Sequence, residues 1–148
     1  MWRRGARPYV RRMLQTTRSI EQLSHALADA FRTGEVGDVF TDDLFLDGHP
    51  PFWRFQIRGR DDFGTWLAGY VAHGPEVTVA RTTATAEGFL TEHLSAEHDP
   101  DRGEITARKV LICTVRDGRV AEMTVYCSGD WDADLRSRHA AEAPILRP

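Results

Sequence analysis

Two long β-forming runs meet at Asp117-Gly118, and that junction limits the fold more than any other feature of the chain. Asp-Gly between alternating residues is a strong signal for a two-residue hairpin turn. A regular ladder from that turn pairs Val115 with Val120, Ile112 with Met123 and Val110 with Val125. Alternation then puts Arg108, Val110, Ile112, Thr114, Ala121, Met123, Val125 and Cys127 on one face. That face is apolar in its middle and is expected to point inward. The other face carries Lys109, Leu111, Cys113, Val115, Val120, Glu122, Thr124 and Tyr126, a mixture that suits a subunit interface.

Two further strand-like runs precede the hairpin, Glu76 to Ala84 and Gly88 to Ala96. Helical periodicity comes earlier still. Ser19 and Gln22 form a capping box, and Ile20, Leu23, Leu27 and Phe31 make one apolar stripe that Gly34 stops. Val36, Val39 and Phe40 predict a short helix over Glu35 to Phe40. Phe63, Trp66, Leu67, Tyr70 and Val71 predict a long one from Asp62 to about His73. A terminal helix is expected over Ala133 to Ala141. Helices first and an antiparallel meander afterwards make an α+β domain, with helices on one face of a sheet.

At 148 residues the chain is one domain with room for a core. We expect residues 19–148 to form it and residues 1–18, with six arginines and no acid, to be a basic arm. A net charge of −3 gives no general case for nucleic acid or anionic membrane as partner. No apolar run is long enough to span a membrane, and a cytoplasmic location is expected. Lys109 is the only lysine among 19 basic residues, a bias that hints at a bacterial, GC-rich gene. Cys113 and Cys127 have no metal-ligand spacing and read as reduced thiols. The histidines are scattered, and no phosphate-cradling glycine pattern occurs, so neither metal nor nucleotide cofactor is implied.

Chemistry concentrates between Leu44 and Gly59, where Asp47, His49, Trp53, Arg54 and Gln56 surround the rigid Pro50-Pro51 pair. The segments FLDGHPPFWRFQIRG (Phe45 to Gly59) and RDGRVAEMTVYCSGDWD (Arg116 to Asp132) resemble the SnoaL-like polyketide cyclases of the nuclear transport factor 2-like superfamily. Ketosteroid isomerase, scytalone dehydratase and limonene epoxide hydrolase share that superfamily. The resemblance implies a cone, with about three helices in the concave side of a curved sheet, an apolar cavity between, and dimerisation through the sheet. It also implies where acids should stand. The cyclases' last-strand aspartate aligns with Val125, and the isomerase's oxyanion-binding aspartate with about Val110. Both signature acids are therefore missing.

The remaining candidates are few. Asp47, near the isomerase's carboxylate in the alignment, is the expected proton shuttle, since a carboxylate at an apolar rim has a raised pKa. His93 shares a strand face with Phe89, Thr91 and Ser95 and is the second candidate catalytic group, as an acid or orienting donor. Trp53, Trp66, Phe89, Val110, Met123 and Val125 are expected to shape the cavity, and Gln56 to recognise a carbonyl or carboxylate. Tyr126 is expected on the interface side. With these residues, the resemblance implies a cofactor-free isomerase, cyclase or dehydratase for a hydrophobic, oxygenated, polyketide- or steroid-like molecule. A non-catalytic small-molecule binder or dimeric interaction protein on the same fold is the alternative. An epoxide hydrolase, needing an Asp–Arg–Asp set of which Asp47 and Arg54 are only part, ranks third.

Overall fold

A computed structural model describes residues 18–143 and 145–147. The basic arm expected over residues 1–18 lies outside the described residues except for Arg18. The elements follow in the order α1 (Ile20–Thr33), β1 (Phe40–His49), β2 (Phe55–Arg58), α2 (Arg60–Tyr70), β3 (Glu76–Ala84), β4 (Gly88–Asp99), β5 (Gly103–Arg116), β6 (Arg119–Cys127) and α3 (Ala133–Glu142). The strands form one open sheet in the order β2-β1-β6-β5-β4-β3. All neighbours are antiparallel except β1 and β6, which run parallel. This is the expected α+β cone. No helix among the described residues is long and apolar enough to cross a membrane.

The helices obey their sequence signals. Ser19 accepts from the Gln22 amide while the Gln22 side chain accepts from the Ser19 amide, and Gly34 closes α1 at φ 79°. Leu23, Leu27 and Phe31 of α1 and Phe63 and Leu67 of α2 are fully buried against the sheet. On α3 no residue is buried. It is capped by Asp132 and lies beside Trp131, whose ring meets His139 at 5.0 Å. The helix expected over Glu35 to Phe40 is absent. Gly37 takes a left-handed turn, and Val39 and Phe40 instead lead into β1, where Val39 O accepts from the Val120 amide.

The hairpin turn stands where expected, with Val115 opposite Val120. One residue later the ladder shifts, and Thr114 faces Glu122, leaving Ala121 as an extra residue on β6. Beyond this bulge every β5 residue has changed its partner by one. Cys113 pairs with Met123, Leu111 with Val125 and Lys109 with Cys127. A one-residue shift turns a strand over completely. Met123 and Val125 face inward as expected. On β5, however, Lys109, Leu111 and Cys113 face inward, and Arg108, Val110 and Ile112 face out. Val110 therefore lies opposite Tyr126 on the outer face and does not shape the cavity.

Candidate functional site

The inner faces of β1, β4, β5 and β6 and the facing sides of α1 and α2 line a partly open cavity of about 220 Å³. One wall is aromatic. Trp66 and Tyr70, one helical turn apart on α2, stack at 5.3 Å, and Phe55 of β2 meets Trp66 at 5.4 Å. Phe31 closes the wall edge-on to Tyr70 at 5.8 Å. Gly48 permits this arrangement. A Cβ there would stand 2.5 Å from the Phe55 ring, so only glycine lets that ring lie flat on β1. The opposite wall is the sheet, with Leu46, Val125, Ile105, Ala107 and Cys127 lining it. Pro50, His49 and Asp130 complete the rim.

Three polar side chains of the sheet wall line this space, Ser95 and Glu97 from β4 and Lys109 from β5. Lys109 is 8% exposed. Its ammonium donates to Ser95 Oγ at 3.0 Å and lies 5.2 Å from the centre of the Tyr70 ring. No carboxylate among the described residues lies within ion-pairing distance of it. Keeping an ion out of water costs on the order of several kcal/mol unless a charge compensates it. Glu97, half-buried at the rim, likewise forms no ion pair among the described residues. Asp130 differs, because Arg102 holds it at 3.0 Å.

The expected site residues are scattered relative to this cavity. Trp66 and Val125 line it. Phe89 and Met123 lie fully buried in the core beneath. Trp53 is 73% exposed in the loop after β1, and Gln56 is exposed on the outer face of β2. Asp47 alternates with the inward Leu46 and Gly48 and so points outward, opposite Thr124 and Gln56. Arg54 clamps both of its oxygens, at 2.9 and 2.8 Å, and His49 Nε2 stands 3.3 Å away. That clamp holds the Asp47 carboxyl far below the usual carboxylate range, the reverse of the raised pKa expected for a proton shuttle. His49 in turn stacks on Tyr126 at 4.7 Å, on the same outer face.

His93 points inward, 1% exposed, with Phe31 edge-on at 6.1 Å. Burial, with Lys109 and His25 adding positive charge nearby, pushes its pKa down to about 4. It is therefore a neutral imidazole at neutral pH, and its Nε2 has no hydrogen-bond partner. It is Lys109's cross-strand partner, at the floor behind the ammonium. Cys113 and Cys127 are both free thiols, and burial pushes the Cys113 thiol well up. Among the described residues no cluster of His, Cys, Asp or Glu is arranged to hold a metal ion.

Sequence reasoning missed Lys109, Ser95 and Glu97 as cavity groups. The signal for Lys109 was its isolation, a single lysine within the otherwise apolar alternation Ile105, Ala107, Leu111, Cys113.

No protein-family model matches the sequence, and no curated protein is similar to it in sequence. Solved structures share the fold. A hypothetical protein with a ketosteroid isomerase-like fold from Catenulispora acidiphila DSM 44928, in complex with trimethylamine, superposes with a TM-score of 0.63 at 15% identity, over 71% of this chain and 84% of that one. A SnoaL-like polyketide cyclase candidate from Jannaschia Sp. CCS1 gives 0.60 at 15% identity, over 85% and 93%. An LEH-like epoxide hydrolase of M. tuberculosis gives 0.60 at 22% identity, over 85% and 96%. The chain therefore has the nuclear transport factor 2-like fold, on which cyclase-, isomerase- and hydrolase-like proteins are all built.

Proposed function

We propose that this protein binds a small hydrophobic, oxygenated molecule in the cavity and moves a proton on it without a cofactor, as an isomerase, cyclase or dehydratase does. The observation that carries the reading is an aromatic-walled cavity with a carboxylate, Glu97, at its rim that forms no ion pair among the described residues. In this reading Glu97 takes the base role that Asp47, clamped by Arg54 on the other face, is not positioned to fill. Trp66, Tyr70 and Phe55 would hold a flat ring by stacking. His93, buried and neutral, would stiffen the floor rather than shuttle protons. At about 220 Å³ the cavity is smaller than the roughly 300–1,000 Å³ typical of drug-sized ligands. That size favours one or two rings over a four-ring skeleton.

The test is a metabolite panel screened by native mass spectrometry, followed by turnover assays of wild type and Glu97→Gln on each ligand found. Retained binding with turnover lost in the variant supports the proton-transfer role. Equal turnover in both removes Glu97 from it.

A second reading is a non-catalytic binder. It is favoured by the outward, ion-paired Asp47, which leaves the inner face with few groups fit to exchange protons. Binding without turnover of any ligand in wild type would establish it. We also propose a cytoplasmic homodimer formed through the outer sheet face, where Ile112 and Tyr126 are about half exposed.

A further inference from the structure

Lys109 is an ammonium stored in a cavity, with no counter-ion among the described residues. Its three N–H donors meet one hydroxyl acceptor, Ser95 Oγ at 3.0 Å. Beside it are the π face of Tyr70 at 5.2 Å and the neutral His93. Of the carboxylates lining the cavity, Glu97 and Asp130, neither comes within 4 Å of it, and Asp130 is already held by Arg102. The rest of the wall is apolar or aromatic. Such a site is short of one negative charge and of acceptor atoms, and both shortages point at the same place.

We propose that Lys109 and Ser95 form an anion-anchoring subsite, and that the cavity takes a small ring-bearing carboxylic acid as its anion. The carboxylate accepts from Lys109 Nζ and from the Ser95 hydroxyl, which gives up its long 3.4 Å bond to Ala107 O to donate to the ligand while its oxygen still accepts from the lysine. The ring lies against Trp66 and Phe55. A charge-assisted contact inside a water-poor space gives a carboxylate its advantage over a neutral analogue of equal shape. This inference rests on the small-molecule reading of the cavity and does not require catalysis.

The experiment uses paired probes of matched shape, phenylacetate and 2-naphthoate against phenylacetamide and 2-naphthamide, titrated by calorimetry. Wild type is expected to favour the acid of each pair by about tenfold or more. Lys109→Met, which keeps the stem and removes the charge, is expected to abolish that preference while still binding the amides. Ser95→Ala, a smaller change, is expected to reduce it in part. If no acid or amide binds wild type, the cavity reading fails and the subsite with it. Should acids and amides bind equally, and Lys109→Met change nothing, the cavity stands and the anchor falls. Borohydride trapping of 2-naphthaldehyde on Lys109 is the remaining arm. A covalent adduct at neutral pH would show an amine that attacks carbonyls, and would overturn the role of standing ammonium.

Discussion

Asp47 and Lys109 occupy opposite faces of one sheet: Asp47, the expected proton shuttle, points outward, and Lys109, which alternation from the hairpin turn put outside, points inward. Asp47 is satisfied by both arms of Arg54 and by His49, an arrangement that fixes the loop after β1 to the strand before it. Its chemistry is spent on structure. Asp47→Asn should therefore leave 2-naphthoate binding unchanged in calorimetry, while lowering thermal stability and loosening the Pro50–Arg54 loop to protease. A large loss of cavity binding in that variant would return Asp47 to the site. His93 gives the second prediction at this scale. Its pKa is about 4 in the fold against 6.5 for a free imidazole. Between those values the unfolded chain binds a proton that the folded one refuses, so stability falls as pH drops through that window. The loss is on the order of 3 kcal/mol once pH reaches the lower value. The depressed carboxylates, Asp47 among them, start from 3.8 and lose their contributions mainly below it. Urea midpoints at pH 7 and 4.5 should thus differ in wild type and converge in His93→Leu.

At the scale of elements, what was legible followed from local rules. The capping box, the α2 stripe carrying Trp66 and Tyr70, and the Asp117-Gly118 turn are each written in a few adjacent residues, and each stands in the fold. The inner face of β5 was not legible, because it depends on the bulge at Ala121, and nothing in that residue's chemistry announces an extra position. One skipped residue moved Val110 out of the cavity and Lys109 into it. The β4–β5 contact shows how tightly this strand is then held. A Cβ on Gly88 would meet Cys113 O at 2.2 Å, and a backbone oxygen cannot swing aside. Gly88→Ala should cost about 1–3 kcal/mol or more, the usual range for overpacking. Gly69, inside α2 with nothing within 4 Å of its would-be Cβ, is the control. Gly69→Ala should stabilise by up to about 1 kcal/mol through helix propensity alone. Opposite signs in chemical denaturation separate the two effects. Equal, small changes would mean that β4 and β5 lie farther apart than described.

For the molecule as a whole, the sheet divides two environments, with the cavity inside and a mixed polar and apolar surface outside. The outer face holds Ile112, Val110, Leu94 and Tyr126 beside the Glu92–Arg108–Arg81 ion network. Ile112 is 46% and Tyr126 50% exposed, large hydrophobic side chains open to solvent on that face. A two-fold contact over Ile112 would bury both at once, because an isologous interface uses each residue twice. Sedimentation velocity over a micromolar concentration series should then show a dimer for wild type and a monomer for Ile112→Arg, where a guanidinium would have to lose water opposite its own copy. Because inner and outer residues alternate along β5, the same variant should bind 2-naphthoate as wild type does. A monomeric wild type throughout the series would leave the outer face without this role. A dimeric Ile112→Arg would put the interface elsewhere, with the exposed Phe52 and Trp53 of the loop after β1 as the next surface to substitute.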